Sequence, residues 1–153
     1  AIRQNGLAST LIWVTDEAPA KEVAGDAADR ETGITPPKAG SILRVLEMPP
    51  QAERTAAEIE QAIAESNRLM AENPQPGIQR SPSARALGMH RTASIDYALV
   101  LEGEIDLLVD EDETHLTTGD IVVMQGTNHS WANRSGKITM MAFVLVGADL
   151  DWE

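Results

Sequence analysis

The sequence of 153 residues contains no cysteine, and aromatic residues make up only 3% of it. Disulfides, zinc–thiolate sites and cysteine nucleophiles are therefore excluded, so any metal must be held by histidine, carboxylate or other oxygen ligands. Aliphatic side chains and methionines must fill most of the core. No apolar run approaches the roughly 18 residues of a membrane-spanning helix. Because no signal-peptide pattern precedes the first strand, we expect a cytoplasmic protein.

Positive charge is also scarce in this sequence. Twelve Lys and Arg residues against 24 Asp and Glu residues give a formal net charge of −12. Such a surface repels phosphate groups, which argues against nucleic acid and against anionic membrane surfaces as partners. The length favours a single domain, residues 1–153, with one hydrophobic core.

Two strands are predicted in the first part of the chain. The segments Leu7–Thr15 (LASTLIWVT) and Ser41–Glu47 (SILRVLE) are rich in residues that favour β-structure. Between them, residues 16–40 have neither helical nor strand periodicity. This segment predicts a long loop that either covers the rest of the fold or reaches a partner subunit.

One helix is predicted over residues 55–72. Thr55 and Glu58 form a capping box, in which each side chain satisfies a free backbone N–H at the helix start. Asn73-Pro74 ends the helix, and residues 74–82 form a linker. The helix either packs on the outside of the fold or forms a lid over a pocket.

From residue 84 onward the chain consists of short apolar segments separated by glycines and acidic turns. Many short strands at regular spacing favour a sandwich or barrel, so we predict an all-β fold with its barrel core at residues 84–147. Residues 1–83 supply the N-terminal strands, the loop and the helix. The predicted core strands are Ile95–Leu101, Glu104–Val109, Thr114–Thr117, Asp120–Met124 and Ile138–Val146.

The residues with metal-binding chemistry are His90, Asp96 and His129. Strand side chains alternate between faces, so if residues 86–92 are extended, His90 and Thr92 both point into the barrel. Two imidazoles and one carboxylate form a 2-His-1-carboxylate set, which leaves coordination positions open for substrate, water or dioxygen. Divalent iron is the metal favoured, and zinc, manganese and nickel remain alternatives because ligand type alone does not fix the metal.

Other polar residues are assigned by the same alternation. Trp131 and Asn133 follow His129 at steps of two residues and, together with Thr92, are predicted to line a substrate pocket. His115 lies in a polar hairpin and is predicted at the surface. The alternative for both candidate histidine ligands is a hydrogen-bonded place in the core, and the alternative for Asp96 is a turn cap.

The segment resembles the cupin superfamily, in particular its small single-barrel members. The first cupin motif is G-x5-H-x-H-x3,4-E-x6-G, and the matching residues are His90, Thr92, Asp96 and Gly103. The second motif is G-x5-P-x-G-x2-H-x3-N, and the matching residues are Gly119, Gly126, His129 and Asn133. Thr92 stands in place of a histidine, Asp96 in place of a glutamate and Met124 in place of a proline. The first gap of the second motif is one residue short.

The resemblance implies a double-stranded β-helix, also called a jelly-roll barrel, and a homodimer. It also implies an enzyme that uses one divalent metal on a small oxygen-rich substrate, in dioxygenase, decarboxylase, lyase or isomerase chemistry. A cupin that binds a small ligand or a metal without turnover is the alternative, and a metal-free structural barrel is a third. One fold hosts many functions, so the resemblance alone does not choose among these.

Overall fold

A computed structural model describes residues 2–4, 7–80 and 84–150, with side chains described from residue 7 onward. The end of the predicted linker and the predicted boundary between residues 83 and 84 lie outside the described residues. The structure has one helix, α1 (Ala56–Glu72). Its strands are β1 (Ile2–Gln4), β2 (Leu7–Thr15), β3 (Ser41–Met48), β4 (Ile78–Gln79), β5 (Arg91–Thr92), β6 (Ser94–Glu102), β7 (Glu104–Val109), β8 (Glu113–Thr117), β9 (Ile121–Gln125), β10 (His129–Ala132) and β11 (Thr139–Gly147).

The strands form two larger sheets and one small one, and every pairing is antiparallel. The six-stranded sheet has the order β1-β2-β3-β11-β6-β9, and the three-stranded sheet has the order β10-β7-β8. The small sheet pairs β4 with β5. The prediction of an all-β fold with one helix is confirmed. Because β3 pairs with β11 along eight residue pairs, the N-terminal strands extend the same sheet as the C-terminal ones.

The core forms from the facing sides of the two larger sheets. In β11, every second side chain from Thr139 to Leu145 is buried, as the period of two in a strand requires. Ala98, Met141 and Phe143 from the six-stranded sheet join Ile105 and other residues of the three-stranded sheet in one apolar cluster. Aliphatic and methionine side chains therefore fill most of the core, as the scarcity of aromatics predicted.

Helix α1 begins as its capping box predicted. The Thr55 hydroxyl accepts a hydrogen bond from the backbone N–H of Glu58, and the Glu58 carboxylate accepts one from the backbone N–H of Thr55. None of its residues is buried. Ser66 accepts a hydrogen bond of 2.7 Å from the Arg80 guanidinium. In the described part of the chain, no helix has the length and hydropathy that a membrane crossing requires.

The structure differs from the prediction at several segments: β1 was not predicted, and β4 lies within the predicted linker. The segment before His90 was expected to be extended from residue 86, but residues 86–89 form a turn in which the Met89 N–H donates to the Ala86 carbonyl. Gly88 has a φ of 77° there, a conformation that glycine adopts without strain. Strand β10 was not predicted as a strand, because a polar segment of four residues has too few apolar positions to show a period.

Candidate functional site

His90 and His129 lie directly opposite each other on neighbouring chain segments. Their backbones exchange two N–H to carbonyl hydrogen bonds, each 2.9 Å long. The ring centroids are 4.8 Å apart, and the ring planes make an angle of 44°. The antiparallel bridge therefore brings together two imidazoles that are separated by nearly forty residues in the sequence.

Each ring of this histidine pair is held by a backbone carbonyl. His90 Nδ1 donates to the Gly88 carbonyl and His129 Nδ1 donates to the Thr127 carbonyl, both at 2.8 Å. A carbonyl only accepts, so Nδ1 must carry the proton and Nε2 keeps its lone pair. Neither Nε2 has a hydrogen-bond partner among the described residues. This is the tautomer that binds a metal through Nε2.

Burial keeps both rings neutral. Removal from water, with a smaller contribution from the neighbouring His129, lowers the pKa of His90 to about 4. Burial also lowers the pKa of His129. Only a neutral imidazole offers a lone pair to a metal or a proton donor, so both rings are in the ligand-competent state at neutral pH.

Asp96 lies in β6 with only 4% of its surface exposed. Its carboxylate accepts hydrogen bonds from the Ser94 hydroxyl at 2.5 Å and from the Thr92 hydroxyl at 3.1 Å. Burial raises the pKa of Asp96, and these two hydrogen bonds act in the opposite direction because they favour the charged form. The three side chains form a buried polar cluster on the inner face of the sheet.

The histidine pair and Asp96 line one cavity of about 840 Å³. Thr92 and Trp131 line it as well, as predicted for pocket residues. The Trp131 ring meets the His129 ring edge-on at 6.0 Å. Residues 32–35 of the long loop line the cavity too, so part of this loop covers it, which was one of the two alternatives. No residue of α1, all of which is described, lines the cavity.

Asn133, the third predicted pocket residue, does not line this cavity. It follows the last residue of β10, and only 2% of its surface is exposed. Its side-chain amide donates to the carbonyls of Met48 and Lys137, while its oxygen accepts from Ser135. Asn133 therefore ties chain segments together.

The donor set fits a metal ion at the histidine pair. Two neutral imidazoles with free Nε2 atoms are ligands for iron, zinc, manganese or nickel. Within residues 7–80 and 84–150, no group of three or more His, Cys, Asp or Glu side chains is close enough to hold a metal. The carboxylate oxygens of Asp96 are engaged by hydroxyl groups. The three-residue set of His90, Asp96 and His129 therefore stays a prediction.

Two further polar side chains are exposed. Tyr97 is 41% exposed on the outer face, next to the inward-facing Asp96. His115 has 56% of its side chain exposed and donates to the Asp106 carboxylate at 2.7 Å. It is a surface residue, as predicted.

Two candidate functional residues were not predicted from the sequence. Arg44 lines the cavity from β3. The signal was present, since Arg44 is the single charged residue at the inward positions of SILRVLEM. Ser94 is fully buried two residues before Asp96 and shares its face. A serine at a strand start carries no distinctive pattern, so no sequence signal marked it.

The chain was compared with families and known proteins. Residues 78–146 match the family described as "Cupin domain". Phomopsin biosynthesis cluster protein C′ of Diaporthe leptostromiformis is 60% identical over 48 residues, which are 31% of this chain and 25% of that protein. The cupin-domain-containing oxidoreductase srdD of Neurospora crassa is 26% identical over 146 residues, which are 93% of this chain and 58% of that protein.

A solved structure shares the fold. An uncharacterized conserved protein with a double-stranded β-helix domain from Klebsiella pneumoniae matches with a TM-score of 0.52 and 14% identity, over 98% of this chain and 85% of that one. The predicted double-stranded β-helix is confirmed. The chain spans between a quarter and somewhat more than half of the curated relatives' length. The matched family and the strand arrangement lead to one assignment: residues 78–146 of this chain form a cupin domain.

Proposed function

We propose that this chain is a metal-dependent cupin enzyme of the oxidoreductase type. Its substrate is a small, oxygen-rich organic molecule that binds in the cavity beside the histidine pair. The observation that carries the proposal is the pair itself, in which two buried, neutral imidazoles have their Nδ1 atoms bound to carbonyls and their Nε2 atoms free. The similarity to proteins named cupin-domain-containing oxidoreductases supports the reaction class.

In this proposal His90 and His129 hold one divalent metal ion, with Fe(II) favoured and zinc, manganese or nickel as alternatives. Such an ion supplies Lewis acidity and, in the case of iron, access to dioxygen chemistry. Asp96 is the proposed carboxylate of the site, either as a ligand or through a bridging water. Ser94 and Thr92 orient its oxygens by donating hydrogen bonds.

The protein supplies a dry and shaped cavity around this site. Trp131 and Phe143 stack edge-on with ring centroids 5.5 Å apart and form an aromatic wall. Loop residues 32–35 and the segment Gln75–Pro76 close other sides. Exclusion of water strengthens every electrostatic interaction inside the cavity, including the stabilisation of negative charge that develops on a substrate oxygen.

The test is elemental analysis of protein purified without chelator, on wild type, His129→Ala and the matched control His115→Ala. We expect about one metal ion per chain in wild type, loss of the ion in His129→Ala and an unchanged content in His115→Ala. Absence of metal from wild type after reconstitution with Fe(II), Zn(II), Mn(II) and Ni(II) contradicts the proposal. The metal found then selects the assay, with oxygen consumption first for iron.

A cupin that binds its ligand without turnover is the second candidate. Both candidates share the cavity and the metal, so they differ only in whether a bound ligand is consumed. Mass spectrometry of a small acid or enol incubated with metal-loaded protein distinguishes them, because an enzyme changes the ligand mass or isomer and a binding protein returns it intact.

We also infer a homodimer. The outer face of the six-stranded sheet carries apolar side chains on adjacent strands, with exposed Tyr97 opposite exposed Val123 and half-buried Leu99 opposite exposed Ile121. Apolar surface of this kind is typical of protein–protein contact. Since β2 is already paired on both sides within the chain, the sheet face is the expected contact instead of strand pairing at β2. Light scattering that gives a monomer mass at micromolar concentration contradicts this.

A further inference from the structure

Arg44 places a positive charge on the inner face of the six-stranded sheet. The inward side chains of β3 include Ile42, Arg44, Leu46 and Met48, and the last three of these line the cavity. Among the described residues that line the cavity, Arg44 is the only Arg or Lys. The other inward positions of β3 hold apolar side chains, so a charged side chain at this position is unusual.

The guanidinium of Arg44 is incompletely satisfied. One Nη2 hydrogen bond of 2.6 Å goes to the Gly33 carbonyl in the long loop. The Nε atom is buried without a hydrogen-bond partner, and no carboxylate of the described chain forms an ion pair with Arg44. Burial lowers the pKa of Arg44. A buried charge without a partner costs free energy, and no anion among the described residues offsets this cost for Arg44.

Asp96, the acidic residue that lines the same cavity, is not that anion. Arg44 pairs with Phe143, whereas Asp96 pairs with Leu145 on the other side of β11. Two strand spacings and two residues along the strand put the Cα atoms roughly 12 Å apart. The oxygens of Asp96 accept from Ser94 and Thr92 instead.

We propose that Arg44 binds the carboxylate of the substrate, which is an organic monoanion with an apolar body. This deepens the proposed function and rests on it. The planar guanidinium presents paired N–H donors that match a carboxylate, and its Nε is the donor left free. Leu46, Phe143 and Leu145 pack against the apolar body, and the opposite end of the molecule reaches the histidine pair.

A carboxylate fits this site better than a phosphate. A single cation balances a single negative charge, whereas a phosphate carries more charge and three acceptor oxygens that this cavity does not match with further cations. The cavity of about 840 Å³ accommodates a small organic acid.

The test is calorimetric binding of benzoate and of its neutral isostere benzamide to chelator-treated protein. We expect wild type to bind benzoate at least about tenfold more tightly than benzamide, which corresponds to about 1.4 kcal/mol. Arg44→Gln should bind the two probes equally. Arg68→Gln, an arginine exposed on α1, should keep the full preference. Circular dichroism and a thermal melt show whether Arg44→Gln is folded.

Arg44→Lys keeps the charge but removes the fork of donors, so it should keep only part of the preference. This variant answers the competing explanation that Arg44 only fastens the loop at Gly33 and leaves carboxylate preference unchanged. The proposal is overturned if benzoate does not bind to wild type at millimolar concentration, if wild type shows no preference, or if folded Arg44→Gln retains it.

The two proposals fail in distinguishable ways. Benzoate binding is measured on chelator-treated protein, and metal content is measured without benzoate on protein purified without chelator. Arg44→Gln should retain the metal content of wild type, since Arg44 is not among the proposed ligands. A normal metal content with no benzoate preference overturns the Arg44 proposal alone, and a preference without any metal overturns the metalloenzyme alone.

Discussion

The histidines of this chain lie in two contrasting environments. The histidine pair, His90 and His129, lies inside the fold, where burial lowers the pKa of both rings. His115 lies on the β7–β8 hairpin, where its hydrogen bond to Asp106 raises its pKa. The same side chain is thus driven toward the neutral form in one region and toward the cation in the other.

The partners explain the difference. The buried rings donate to backbone carbonyls, which carry no net charge and therefore do not offset the free-energy cost of burying a protonated imidazole. His115 belongs to a surface ion cluster, which we define as Asp106, Glu113, His115 and Arg134. Burial with neutral acceptors favours the neutral imidazole, whereas exposure among carboxylates favours the imidazolium in a solvated ion pair. Replacements in the two regions should therefore have different effects.

The largest expected contrast is in the pH dependence of stability. In metal-free protein, the pKa of His90 falls from 6.5 in the unfolded chain to about 4 in the folded chain. The unfolded state therefore binds the proton first, and the free energy of unfolding decreases as the pH falls from about 6.5 to about 4, by roughly 3 kcal/mol. Urea unfolding at several pH values measures this. His90→Gln should flatten the decrease, and His115→Gln should not.

An equal pH slope in wild type and His90→Gln would contradict burial as the cause. His115 has the opposite sign. Because its folded pKa is raised, its contribution to stability is present below the unfolded pKa and is lost as the pH rises through the raised value.

The next contrast is the loss of one hydrogen bond in each region. Ser94→Ala removes the hydroxyl that donates to Asp96 and leaves a buried carboxylate with one donor fewer. We expect a loss of about 1–3 kcal/mol in the free energy of unfolding. Urea denaturation of metal-free protein at pH 7 measures it. Thr118→Ala removes an exposed hydroxyl that donates to the Gly103 carbonyl, and as the control it should cost less.

A smaller effect is expected at the surface ion cluster. Arg134 contacts Asp106 at 2.9 Å and Glu113 at 3.2 Å, with about half of its side chain exposed. Arg134→Gln should lower the free energy of unfolding by about 1 kcal/mol or less. The difference from wild type should shrink further in 1 M salt, where screening shortens the range of such contacts. A loss as large as that of Ser94→Ala would remove the distinction between the two regions.

The smallest expected effect is a change in the pKa of a single ring, which NMR titration measures directly. The His115 ring should titrate above the ordinary value of 6.5, and Asp106→Asn should bring its pKa back toward that value. The rings of the histidine pair should remain neutral across the same range. If all three rings titrated in the same pH range, burial and hydrogen-bond partners would not give them different pKa values.

The predicted strands agree with the structure where apolar residues repeated regularly and turn residues marked the ends of the segment. Strand β2 (Leu7–Thr15) has the predicted bounds, and the helix begins after its Thr55 cap. Strand β10 and the turn before His90 were missed, since short polar segments take their conformation from partners distant in sequence. The two histidines were identified by spacing. Arg44 was not assigned a role and the contacts of Asn133 were not predicted, because the surroundings of a side chain depend on which segments pack around it.

The sequence by itself determined the strand periods, the helix cap and the restriction of metal ligands to residues other than cysteine. It also showed that His90 and His129 both fall at histidine positions of the cupin motifs. Those features depend on local propensity and on residue type. Only the tertiary structure decided that both Nδ1 atoms meet carbonyls, that Ser94 and Thr92 bind Asp96, and that Arg44 enters the cavity without a counterion. These contacts join residues from separate strands, and burial, which sets their charges, is a property of the whole fold.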